Sequence, residues 1–174
     1  MFKKILMIIR DFLKCSKTKE ILDVYIIPLI FVLILLFFYK KFNSNIKSIG
    51  YFTKTFVDNV ITVASLLAAF GVASITIILT SSSKNIEIAK EKIIPDRKDG
   101  DNISITYYKL LLVRSYYNII IQFLLLFISI IVKFIICDKI IIFILSIELW
   151  LLLHSIFVQV FTIINLYFLM WENK

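Results

Sequence analysis

Asp58, Lys133 and Glu148 lie inside stretches that are otherwise strongly apolar, and His154 is the single histidine of the chain. A charge in hydrocarbon costs about 2.5–3.5 kcal/mol on insertion scales, so such side chains pair with one another or face water. The chemistry open to them is the passage of protons or small ions, with Lys133 expected to pair with Glu148 or Asp58. His154 lies deeper, and Gln159, Thr162 and Asn165 continue the polar series beyond it. An enzyme is not indicated. Glu148 and His154 lack the H-E-x-x-H spacing, and one His does not make an ordinary zinc site. No nucleophile elbow or phosphate-binding loop is present. The expectation is a non-enzymatic protein without metal or cofactor.

The polar residues recur at helical spacing. Asp58, Thr62, Ser65, Ala69, Ala73, Thr76 and Thr80 fall within about 80° of helix circumference at 100° per residue. Ser115, Asn118, Gln122, Ser129 and Lys133 share one face within about 60°, as do Glu148, Ser155, Gln159 and Thr162. These stripes predict a shared polar seam with two readings. One is a conduction path, completed by oligomerisation because four helices enclose too little space for a wide pore. The other is packing by interhelical hydrogen bonds of about 0.6 kcal/mol each. Ser65, Ala69 and Ala73 also form a small-xxx-small series that permits close helix contact, with Gly71 on a second face.

The elements that must carry these stripes are membrane helices. The chain has 174 residues, is 60% hydrophobic and has a mean hydropathy of +0.94. Apolar runs of about 20 residues recur, which defines an all-α integral membrane protein of one domain. Four spans are predicted at about 21–39, 56–80, 116–137 and 140–169. Pro28 interrupts the first, either as a kink or near its first turn. Tyr107, Tyr108, Tyr116 and Tyr117 read as an interfacial belt. Asp138 and Lys139 alone separate the last two spans, a tight hairpin. Ahead of the spans, residues 2–14 form an amphipathic helix suited to the interface plane. Fourteen Lys and Arg fall on the side of the N-terminus and six on the other, which places both termini in the cytoplasm of a cell inner or plasma membrane. Cys15 and Cys137 then fall on opposite sides.

The linker 81–106 is the sizeable polar segment between spans. Helix is expected to continue through 85–94 until Pro95 stops it, followed by a charged turn. Asp96, Asp99 and Asp101 around Gly100 lack the alternating spacing and terminal Glu of a calcium loop. Lys84, Lys90, Lys92, Arg97 and Lys98 make this segment the docking surface for a soluble cytosolic partner. The net charge of +8 is read as topology and contact with anionic headgroups, not as a nucleic-acid footprint.

The run Val160-Phe161-Thr162-Ile163-Ile164-Asn165-Leu166, with His154 upstream, resembles the last helix of the RexB-like abortive-infection membrane proteins of lambda phage. Val24 to Pro28 (VYIIP) resembles their first span. Ala68 to Leu79 and the basic segment Lys84 to Lys92 resemble the second span and the stretch after it. The amphipathic N-terminus and the charged linker are longer here. The resemblance implies an oligomeric ion channel that depolarises the infected cell when a cytosolic partner signals. Small four-span subunits of other anti-phage systems, such as the membrane component of Kiwa, imply the alternative of a non-conducting sensor or scaffold holding a soluble effector. A small transporter or assembly subunit is the third reading.

Overall fold

The computed structural model describes residues 2–42, 49–134 and 141–171. Its elements run α1 (Phe2–Cys15), α2 (Thr18–Phe42), α3 (Ile49–Thr80), α4 (Lys84–Glu91), β1 (Ile93–Lys98), β2 (Ser104–Thr106), α5 (Tyr107–Phe134) and α6 (Ile141–Trp171). Among the described residues, four helices contain segments long and apolar enough to cross a membrane: Thr18–Phe38, Phe52–Thr80, Tyr107–Phe134 and Ile141–Tyr167. Cys137 and the Asp138–Lys139 turn lie outside the described residues.

The core sits where α3, α5 and α6 meet. Val60, Ala64, Leu125, Leu151 and Val158 are buried together there. Close approach of α3 to α5 depends on Gly71. A Cβ at that position would stand 3.0 Å from Ile119 Cγ1 and 3.4 Å from Gln122 Oε1. Outward-facing Leu66, Phe127 and Phe143 are more than half exposed, the pattern of a surface meant for an apolar solvent.

α2 leans chiefly on α6, burying Val24, Pro28 and Val32 at four-residue spacing. Pro28 stands well inside the helix and has no N–H to give to the carbonyl four residues back. That carbonyl belongs to Val24, and His154 Nδ1 meets it at 2.8 Å. The helix break is thus converted into a tertiary contact.

The linker differs from expectation. Helix does not run on to Pro95: Ser81, Ser82 and Ser83 interrupt it, α4 ends at Glu91, and β1 and β2 pair antiparallel. Pro95 lies within β1, which in a two-stranded hairpin always has an outer edge where a missing N–H costs nothing. Asp96 and Asn102 adopt φ of 61° and 63°, a region that Asp and Asn tolerate well. The fold is therefore helical with one small hairpin added at the end that also carries α1 and α4.

Candidate functional site

Between α5 and α6 runs a column of buried polar side chains. Asn118 Nδ2 and Gln122 Nε2 donate to Gln159 Oε1 at 3.2 and 3.1 Å, and the Ser155 hydroxyl donates to Asn118 Oδ1 at 3.1 Å. Thr162 donates to the Val158 carbonyl of its own helix. Farther along, Ser129 and Glu148 are fully buried. The Ser129 hydroxyl approaches the Glu148 carboxyl, but among the described residues neither group makes a hydrogen bond of good geometry. The Asn165 amide nitrogen is likewise buried without a partner. The free space beside Asn118 and Gln159 is about 30 Å³, room for a single water rather than a channel.

α3 does not join this column. Thr62, Ser65, Ala69, Ala73 and Thr76 are exposed on the side turned away from α5 and α6. The hydroxyls of Thr62, Ser65 and Thr76 donate to the carbonyls of Asp58, Ile61 and Val72 in their own helix. The expected three-helix seam is therefore a two-helix seam. Packing decides this: Val57, Val60, Ala64, Ala68, Ile75 and Ile78 form an opposite face that buries apolar area, while hydroxyls bonded to their own backbone need no neighbour. Asp58 pairs with Lys133 at 2.7 Å, on a half-exposed surface off the column. Lys133 is thus not the partner of Glu148.

His154 also leaves the column. It is 1% exposed, and its Nε2 lies 2.9 Å from the Tyr117 hydroxyl, itself 2.6 Å from the Tyr25 hydroxyl. The Val24 carbonyl only accepts, so Nδ1 carries the proton that it receives. In the neutral imidazole Nε2 then accepts from Tyr117, and Tyr25 donates to Tyr117. The relay pins α2 to α5 and α6. Trp150 stacks on the imidazole, and Phe12 of α1 stacks on Tyr117 with ring centroids 3.7 Å apart. Tyr117, expected in an interfacial belt, is instead a core residue. Tyr117→Phe removes the donor to a buried acceptor and is expected to cost about 1–3 kcal/mol in denaturant unfolding of the detergent-solubilised protein.

A charged cap closes the end formed by α1, the hairpin and the start of α5. Glu20 accepts a bidentate pair from Arg97 at 2.8 and 2.9 Å and a further bond from Arg114 at 2.7 Å. Arg97 also donates to the Cys15 carbonyl. Arg97, expected among the docking residues, is committed internally; Lys84, Lys90 and Lys98 are exposed. Lys90 and Lys92 lie over the rings of Tyr108 and Tyr107. The Gly100 N–H donates to Asp11, and Arg10 pairs with Asp101, so α1 is clasped by the hairpin turn. A side chain at Gly100 would collide with Arg10 and Asp11. Burial pushes the Cys15 thiol up to about 11, which keeps it an unreactive apolar filler at neutral pH.

Asp99 organises the turn. It accepts from Lys109 Nζ at 2.6 Å and from the N–H groups of Asp101 and Ile103. The Lys109 ammonium and those N–H groups hold its carboxyl below the usual range despite its burial. A carboxyl depressed in the folded state stabilises above its ordinary pKa of about 3.9 and loses that contribution as pH falls through the depressed value. Hydrogen-exchange protection of the Asp101 and Ile103 amides is expected to fall below about pH 4 while that of α5 persists.

Phe12, Glu20, Tyr25, Arg114 and Tyr117 were not singled out as site residues by sequence reasoning. Arg114 and Glu20 carry the one available signal, opposite charges at the rims of two apolar runs. Comparison with protein-family models, characterised proteins and solved structures finds no match to this chain.

Proposed function

We propose that the chain is the subunit of an oligomeric ion channel in the cell inner membrane, of the abortive-infection kind, opened through its charged cap by a cytosolic partner. One observation carries this reading: the small and hydroxylated face of α3 points out of the bundle. Ser65, Ala69 and Ala73 allow a second copy to approach closely, and Thr62 and Thr76 keep acceptor oxygens free on the same side. The interior of one chain is packed, so conduction runs between copies, where α3 faces meet. The excess of Lys and Arg at the cap end supports cytoplasmic termini. The defence setting rests on the resemblance to the RexB-like proteins.

The opening signal would travel through α1. Phe12 touches Tyr117, and Tyr117 joins the relay that holds α2, so displacing the hairpin clasp loosens α2 from α5 and α6. Reconstitution in liposomes loaded with an ion-sensitive dye tests the reading. Ser65→Leu is expected to break the oligomer on native gels and abolish flux, with helical content unchanged. An intact oligomer, or flux unaffected by the substitution, counts against α3 as the pore-forming face. The exposed Lys84, Lys90 and Lys98 support the alternative of a non-conducting scaffold. That alternative prevails if the wild-type protein carries no ions under any trigger but retains a partner through these lysines.

A further inference from the structure

Where α2 departs from α3, an apolar cleft of about 340 Å³ opens on the side of the bundle. Val32 and Leu36 of α2 form one wall, Phe52 and Phe56 of α3 the other, and Leu145 and Leu149 of α6 the floor. Among the described residues, the one polar lining residue is Ser146, whose hydroxyl donates to the Ile142 carbonyl, so these residues offer a ligand no free hydrogen-bond donor. The lining residues all fall within the membrane-length segments. They lie toward the end of the bundle opposite the charged cap.

We infer that this cleft is a lateral binding site for one fatty-acyl tail of a phospholipid in the leaflet opposite the cap. Its volume is within the range of small-molecule sites, roughly 300–1,000 Å³. Its chemistry accepts hydrocarbon and nothing that needs a polar partner. Water inside would lose hydrogen bonds, and an empty cleft would forfeit dispersion contacts along its walls. A second copy is not the occupant. Phe52 and Phe56 lie about 120° around α3 from the centre of the Thr62–Ser65–Ala69–Ala73–Thr76 stripe, so copies joined by that stripe leave the cleft facing lipid. The tail therefore props α2 away from α3 while Val24, Pro28 and Val32 keep α2 on α6. The exclusion of a second copy rests on the proposed oligomer through the α3 stripe; the inference does not depend on whether that oligomer conducts.

The full chain in nanodiscs made with a phosphatidylcholine carrying a diazirine on one tail tests this. After illumination, peptide mapping should show adducts several-fold enriched on residues 32–36, 52–56 and 142–149 over lipid-facing positions elsewhere, such as Leu66 and Phe127. Leu35→Trp, which fills the cleft from an exposed lining position, should remove that enrichment; Leu66→Trp should not. Uniform labelling of the wild type overturns the inference, as does enrichment that survives a folded Leu35→Trp protein. Covalent dimers joined through the cleft residues would also overturn it, by showing a second copy there. If Leu35→Trp fails to fold by circular dichroism, the wild-type map alone decides.

Discussion

Replacing Glu20 by Ala is expected to lower the stability of the protein by about 2–3 kcal/mol, below the range of about 3–5 kcal/mol for one partner of a fully buried ion pair because the Glu20 side chain keeps 21% of its surface exposed. Glu20 is the common acceptor for Arg97 and Arg114, and Arg114 is 2% exposed. Among the described residues, Arg97 Nε and Arg114 Nη1 already have no hydrogen-bond partner. Without Glu20, two guanidinium groups would face each other in a site only partly open to water, where Arg97 keeps 10% of its side chain exposed and Arg114 2%. The loss is read by denaturant titration of the detergent-solubilised protein. Adding Arg114→Met to Glu20→Ala should recover part of it, because the remaining positive charge near the bundle is halved. A cost under about 1 kcal/mol would show the cluster to be effectively solvated. The same substitution should free α1 and the hairpin, since Arg97 links β1 both to Glu20 and to the Cys15 carbonyl.

Glu148→Met is expected to do the opposite to stability. Glu148 is fully enclosed, with neither carboxyl oxygen hydrogen-bonded among the described residues. An unsatisfied buried polar group costs about 1–3 kcal/mol, so an apolar side chain of similar volume should raise stability by about that amount. Glu148 is enclosed between α5 and α6, away from the α3 faces assigned to conduction, so Glu148→Met is expected to be more stable in denaturant titration with liposome flux unchanged. Lost flux in the stabilised variant would move the conduction path from the α3 faces to the α5–α6 column. Glu148→Gln separates the two roles further, because it keeps the shape and a polar group without the ionisable one.

Much of the architecture was legible in the chain because apolar length is a local property. Four runs of membrane length and a charged linker follow from hydropathy and charge alone. The α5 and α6 stripes were also legible: Asn118, Gln122, Ser155 and Gln159 share faces at helical spacing and meet as expected. The hairpin was hidden because Pro95 reads as a stop signal in isolation. Only pairing with Ser104–Thr106 gives it an edge strand to occupy.

The direction of the α3 stripe could not be read from sequence for a physical reason. Periodicity groups Thr62, Ser65, Ala69, Ala73 and Thr76 on one face but is silent on which face of a two-sided helix turns inward. That choice was made by Ala64, Ala68 and Gly71, which let α3 and α5 approach closely, and by hydroxyls that satisfy themselves against their own backbone. Asp58, Lys133, Glu148 and His154 illustrate the same division. Their types and their depth in apolar helices were fixed by sequence. Which of them meet depended on rotations of whole helices: Lys133 reaches Asp58, His154 reaches Tyr117 and the carbonyl that Pro28 left free, and Glu148 meets only the Ser129 hydroxyl, without a hydrogen bond of good geometry. Local spacing sets what each helix can present, and packing between helices decides what each face meets.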